Sequence, residues 1–171
     1  MKKSLKCTLL FVPLTIIMMS CSIDTSLNEM KEDYHPSIDL SLSQQTDWPM
    51  AIEILNLINN YRLSIGLSKI KVDYQLASAY AVSHTKYMIE KNELNHDNFQ
   101  IRSKGMINSG ALLVSENVAF GYNNPESVVN AWINSPSHKS VIEGNYTHSG
   151  FGILKDTNGK YYFTQLFYKM E

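Results

Sequence analysis

The chain has 171 residues and a formal net charge of −1, with 15 Lys and Arg set against 16 Asp and Glu. So even a balance supplies no basic patch, which argues against nucleic acid as a partner. Both cysteines, Cys7 and Cys21, lie near the N-terminus. The residues after them therefore carry no disulfide, and about 150 residues must hold together by burying roughly 70 % of their unfolded surface.

Met1-Lys2-Lys3 and Lys6 make a positive start, and Leu9 to Met19 form an apolar run too short for an ordinary membrane span. Residues 1–20 accordingly read as a secretory signal. The run ends in Met18-Met19-Ser20-Cys21, which resembles a loose bacterial lipobox. Cys21 is expected to be acylated, to become the new N-terminus and to hold the protein to membrane lipid on the outer side of the cell. A buried methylene contributes about 0.8 kcal/mol, so stable anchoring relies on more than one acyl chain. Residues 21–47 are polar, carry Asp24, Glu29, Glu32, Asp33 and Asp39, and read as a flexible tether with His35 solvated inside it.

Residues 48–171 read as one domain. Asp47 and Pro49 mark a helix start, and Ala51, Ile54, Leu55 and Ile58 recur at helical spacing until Gly66. Asn59 and Arg62, one turn apart, are expected to tie that helix to neighbouring backbone. A second helix is predicted from an Asp73 cap to Glu90, with Leu76, Ala77, Tyr80, Ala81, His84, Tyr87 and Met88 on one stripe. His84 on that face reads as a hydrogen-bonded core histidine. Beyond His96 the chain reads as irregular through Ser103, Gly105, Asn108 and Gly110, then as a short strand from Ala111 to Val114 leading into Glu116. Asn124-Pro125-Glu126 opens a third helix and Ser135-Pro136 a short fourth. Ser149–Lys155, the turn Asp156-Thr157-Asn158-Gly159 and Tyr161–Tyr168 form a hairpin.

Three segments carry chemistry: Leu94-Asn95-His96-Asp97, Ser115-Glu116-Asn117-Val118-Ala119-Phe120-Gly121, and Trp132-Ile133-Asn134-Ser135-Pro136-Ser137-His138. Imidazole and carboxylate bind zinc-like ions or move protons near neutral pH, so a fold that joined His96, Glu116 and His138 would create a reactive pocket. The competing reading is ordinary capping, because His138 falls in the first turn of a helix. His148, ahead of the hairpin, is a weaker member of the set.

Taken with Leu57-Ile58-Asn59-Asn60-Tyr61-Arg62, Gly66-Leu67 and Gly150-Phe151-Gly152-Ile153, these motifs resemble the CAP superfamily of cysteine-rich secretory proteins, antigen 5 and pathogenesis-related class 1 proteins. The resemblance runs from about Pro49 to Lys169 and is nearest to the compact bacterial branch. It implies an α+β fold, the CAP-type α-β-α sandwich, with a small three-stranded antiparallel sheet packed between helices. It also implies a cavity lined by His96, Glu116 and His138, with Ser115, Asn117 and Ser135 nearby. His96 and His138 could hold Zn2+ or another divalent cation, with Glu116 as a further ligand or as a base on bound water. Ser135 stands where larger eukaryotic members carry a second glutamate, and Ser115 replaces the usual glycine before Glu116. Three functions remain open: a module binding an extracellular protein or other ligand, a metal-assisted hydrolase with Ser115 or Ser135 as nucleophile, and a lipid or sterol carrier. The family has no single shared reaction, so the fold does not choose among them.

Overall fold

The computed structural model describes residues 37–171. The signal, Cys21, His35 and the tether as far as residue 36 lie outside the described residues. Helix α1 spans Trp48–Ser64; the Asp47 carboxylate accepts from Met50 N–H at 3.2 Å, Pro49 sits in the first turn, and Ala51, Ile54, Leu55 and Ile58 are buried. Gly66, at φ 82°, then turns the chain. Asn59 and Arg62 act as expected. Asn59 exchanges two hydrogen bonds with the backbone of Ile70, and Arg62 donates to the carbonyls of Ser68, Ile142 and Gly144.

Strand β1 is Lys71–Val72, α2 is Leu76–Lys91, α3 is Phe99–Asn108, β2 is Leu113–Phe120, α4 is Pro125–Asn134, α5 is Pro136–Ile142, β3 is His148–Lys155 and β4 is Tyr161–Lys169. The sheet has four strands rather than three, in the order β1-β3-β4-β2. The added strand, β1, pairs parallel to β3 through only Lys71–His148 and Val72–Ser149, too short a run to show in the sequence pattern. The rest of the sheet is antiparallel, with Glu116 opposite Leu166 and Asn117 opposite Gln165.

Side chains alternate across the sheet. Ala119, Phe151, Ile153, Phe163 and Phe167 join α1 and α4 in one core, while Val114, Leu166 and Tyr168 join α2 and α3 in another. Two glycines set the second layer. A Cβ on Gly150 would collide with the backbone of Ala77, and one on Gly152 with the backbone of Ala81, so α2 rests directly on the backbone of β3. Thr85 Oγ1 then donates to Gly152 O at 2.9 Å, and Ser78 Oγ accepts from Phe151 N–H at 2.9 Å.

The structure corrects two further expectations. Residues 37–47 belong to the fold and not to a free tether: Leu40–Gln45 form a 3-10 turn capped by Asp39, and Thr46 Oγ1 donates to Phe151 O at 2.6 Å. Asp47 N–H donates to Ile153 O at 3.1 Å. The segment therefore covers the part of the β3 edge that short β1 leaves open, which is how natural sheets protect edges. The stretch after His96, expected to be irregular, is helix α3. Its N-cap Asn98 adopts a left-handed conformation at φ 58°, and Gly105 lies inside the helix because the Tyr80 ring packs where a Cβ would be. The glycine that suggested a break is a packing residue.

Gly152→Ala should therefore destabilise the protein by about 1–3 kcal/mol, the usual cost of overpacking a filled core. Urea unfolding should show a lowered midpoint with unchanged slope; an unchanged midpoint would mean that α2 can lift off the sheet without penalty.

Candidate functional site

Glu116 lies on β2 and turns its side chain toward the α2–α3 layer, where the residue is only 8 % exposed. A carboxylate in that position loses water and must be compensated. Arg102, one turn into α3, supplies a two-pronged contact, with Nε donating to Oε2 at 2.8 Å and Nη2 to Oε1 at 2.7 Å. Its remaining arm, Nη1, donates to Asp97 O at 2.7 Å. His96, at the end of the α2–α3 connection, adds its Nδ1 to Oε1 at 2.8 Å. An ionised carboxylate can only accept, so His96 Nδ1 carries a proton and donates it to Glu116. The His96 side chain is 52 % exposed.

His84 reaches the same carboxylate from below, with Nε2 3.8 Å from Oε1. Its shorter contact is to Asn95 O at 2.9 Å, which fixes the proton on Nε2. Burial pushes its pKa below the usual imidazole value, the Arg102 charge pushes the same way, and Glu116 opposes them. For Glu116 itself burial raises the pKa, but the His96 hydrogen bond and the Arg102 pairing outweigh it, leaving the group below the ordinary 4.5. Glu116 is an anion held in place by its neighbours and is poorly suited to accept a proton as a base.

His138 stands apart from this cluster. It occupies the first turn of α5, its Nδ1 is 2.9 Å from Ser135 Oγ, and no hydrogen bond joins it to Glu116 or His96. Burial lowers its pKa, and the charge of His96 acts in the same direction. Ser115 and Asn117 point to the other side of β2 from Glu116. Ser115 Oγ accepts from the Tyr146 hydroxyl at 2.6 Å, and Asn117 Nδ2 donates to His138 O at 3.2 Å. Both brace α5 and the segment after it. Trp132, from the same motif as His138, donates through Nε1 to Val118 O at 3.1 Å and fastens α4 to β2. His148 begins β3, stacks on Tyr168 with ring centroids 5.2 Å apart, and takes no part in this cluster.

This donor set fits a divalent ion poorly. Both Glu116 oxygens are spent on Arg102 and His96, and among the described residues no group of three or more His, Cys, Asp or Glu is arranged to hold a metal. That leaves the imidazoles of His96 and His138, short of the three protein ligands usual for a catalytic zinc. Sequence reasoning missed Arg102, although one signal was there. Phe99, Arg102 and Met106 repeat at i, i+3 and i+7, and a cation on such a stripe calls for a buried acid.

The model of the CAP, or cysteine-rich secretory protein, family matches residues 55–167, and the chain belongs to that family. The chain is 32 % identical over 122 residues to the uncharacterised membrane protein YlbC of Bacillus subtilis, which covers 68 % of this chain and 34 % of YlbC. It is also 32 % identical over 108 residues to YkwD of the same organism, covering 60 % of this chain and 42 % of YkwD. It thus spans about a third to two fifths of these curated relatives. Among solved structures it is similar to an outer surface protein of Borrelia burgdorferi, with a TM-score of 0.63 at 27 % identity over 73 % of this chain and 95 % of that one. An extracellular protein containing an SCP domain from Bacillus anthracis gives a TM-score of 0.61 at 25 % identity, covering 75 % of this chain and 42 % of the other.

Arg102→Met should cost about 3–5 kcal/mol, because it strands a buried carboxylate, whereas pairing it with Glu116→Met should recover most of that loss. Urea unfolding at neutral pH measures both, and an additive double mutant would show the pair to be uncoupled. A pH series provides a separate check. The folded pKa of Glu116 lies below its unfolded value of about 4.5, so its contribution is complete above that pH and is lost as pH falls through the lower folded value. Wild type should therefore lose stability below about pH 4.5 more steeply than Glu116→Gln.

Proposed function

We propose that this CAP chain is exported, is held at a membrane through acylated Cys21, and works there as a binding module. The observation that carries the binding reading is the engagement of both Glu116 oxygens by Arg102 and His96. The one acidic side chain in the cluster serves as a structural anion and is not poised for proton transfer. The lipobox-like run before Cys21 supports export and anchoring, as do relatives named as a membrane protein and as an outer surface protein. Any divalent ion taken up on this side would rest on His96 and His138 alone and bind weakly. Zinc titration should show weak uptake that disappears in the His96→Ala/His138→Ala double variant; uptake surviving there would place the ligands elsewhere.

A hydrolase has one observation in its favour, the 2.9 Å contact between Ser135 Oγ and His138 Nδ1 beside an imidazole kept neutral by burial. A serine and a histidine three residues apart at a helix start also satisfy each other as a cap, and catalysis needs in addition a substrate held in register. Wild type should show no sustained turnover of peptide or ester substrates, with or without zinc. Turnover that vanishes in Ser135→Ala or Glu116→Gln, with both variants folded, would replace the binding reading with a hydrolase. Independently, Cys21→Ala should lose lipid labelling and leave the membrane fraction; unchanged membrane association would remove the anchor from the proposal.

A further inference from the structure

Strand β2 is an outer strand of the sheet, and its ladder to β4 decides which of its backbone groups look outward. In an antiparallel pair, residues whose N–H and C=O bond the partner strand alternate with residues whose groups face away. Gly121 N–H donates to Tyr161 O at 2.9 Å, which in this register assigns Ala119, Asn117 and Ser115 to β4. Val114, Glu116 and Val118 therefore turn N–H and C=O away from the sheet. Trp132 shows this directly, since its Nε1 meets Val118 O from that side at 3.1 Å.

The opposite edge is closed group by group. On β3 the outward carbonyls of Ser149, Phe151 and Ile153 accept from Asp73 N–H, Thr46 Oγ1 and Asp47 N–H. Phe151 and Ile153 N–H donate to Ser78 Oγ and Thr46 Oγ1. On β2, among the described residues, Trp132 alone bonds the outer edge. Glu116 is 8 % exposed as a whole residue but 2 % in its side chain, so the exposure it keeps lies on its main chain. This stretch of edge is recessed. His96 bonds the Glu116 carboxylate on one face of the strand, and on the other face Asn117 holds the His138 carbonyl at the start of α5.

We infer that the β2 edge at Val114 and Glu116 binds an extended segment of a partner protein as an added strand. The inference deepens the binding-module reading and rests on it, naming the class of partner. Its test reads β2 backbone amides, where neither loss of the lipid anchor nor substrate turnover would register.

The identity of the occupant follows from the groups it must meet. Val114 and Glu116 each present one N–H and one C=O, repeating about 6.8 Å apart along the strand. An extended polypeptide carries complementary donors and acceptors at that same repeat, and main-chain pairing of this kind supplies affinity while alternate side chains supply selectivity. The Glu116 charge is already matched by Arg102, so recognition falls to the backbone. Leu112 and Leu113, both exposed, offer apolar contact at one end of the edge. A second copy of the domain would have to bring its own β2 past the segments that flank this one, whereas a single peptide strand enters between them.

The probe is a short capped peptide of alternating threonine and valine with a lysine at each end, titrated into the isotopically labelled full chain. Before addition, the Val114 and Glu116 amides should exchange with solvent about a hundredfold faster than those of Ser115 and Asn117, which are bonded to β4. Peptide should shift the Val114 and Glu116 amide resonances saturably and slow their exchange. The same peptide N-methylated at every amide, with side chains unchanged, should bind at least about tenfold more weakly. Val114→Pro removes one outward N–H without breaking a bond to β4, and should weaken the unmodified peptide about tenfold. Should that variant fail to fold, the N-methylated peptide decides. Absence of saturable shifts, equal binding of the N-methylated peptide, or undiminished binding by folded Val114→Pro would each overturn the assignment. So would Val114 and Glu116 amides already protected before peptide is added: protection that grows with protein concentration would give the edge to a second copy, and protection independent of it to this chain's own residues.

Discussion

A carboxylate sealed into the layer between the sheet and its second pair of helices is the constraint around which this molecule is organised. Glu116 cannot be left there alone, since an uncompensated buried charge costs more than most small domains can spare. Its compensation comes from three places in the chain: the α2–α3 connection through His96, the first turn of α3 through Arg102, and α2 through the more distant His84. Two of these partners are further tied to backbone, Arg102 to Asp97 O and His84 to Asn95 O. Satisfying one charge therefore orders the whole 95–102 segment. Such a network is rigid when complete and costly when partly broken.

That cluster can form only because α2 lies so close to the sheet. Gly150 and Gly152 remove the side chains that would hold the helix away, and Ala77 and Ala81 meet them with the smallest available surface. Bringing helix and strand backbones together lets Thr85 Oγ1 bond Gly152 O of β3 and Thr164 Oγ1 of β4. The 3-10 turn and Thr46 complete the layer from the other end by occupying the edge of β3 beyond β1. The domain thereby closes its sheet without a disulfide, through packing and side chains that cap exposed backbone.

The two sides of the Glu116 cluster differ in chemistry as a result. One side presents His96 and His138 to solvent next to Ser135, with a neutral imidazole but no free carboxylate. The other, toward α2, is lined by Tyr80, His84, Tyr87 and Arg102. Arg102 is both the counter-ion to Glu116 and part of that lining.

Much of the frame was legible in the linear chain because its signals are local. Helical periodicity with Asp47, Pro49 and Gly66 defined α1, Asn124-Pro125 opened α4, and alternation around Asp156–Gly159 defined the β3–β4 hairpin. The ordered motifs around Glu116 and His138 were enough to indicate the family. What stayed hidden depends on distant partners: β1 is two residues long and exists only because β3 lies beside it, and Gly105 looked like a breaker until Tyr80 filled its space. The site divided along the same line. Sequence alone marked out His96, Glu116 and His138 by residue type, since imidazole and carboxylate advertise their chemistry wherever they stand. Only the tertiary structure decided which of them meet, because the burial of Glu116 and the approach of Arg102 depend on how helices and sheet close around them.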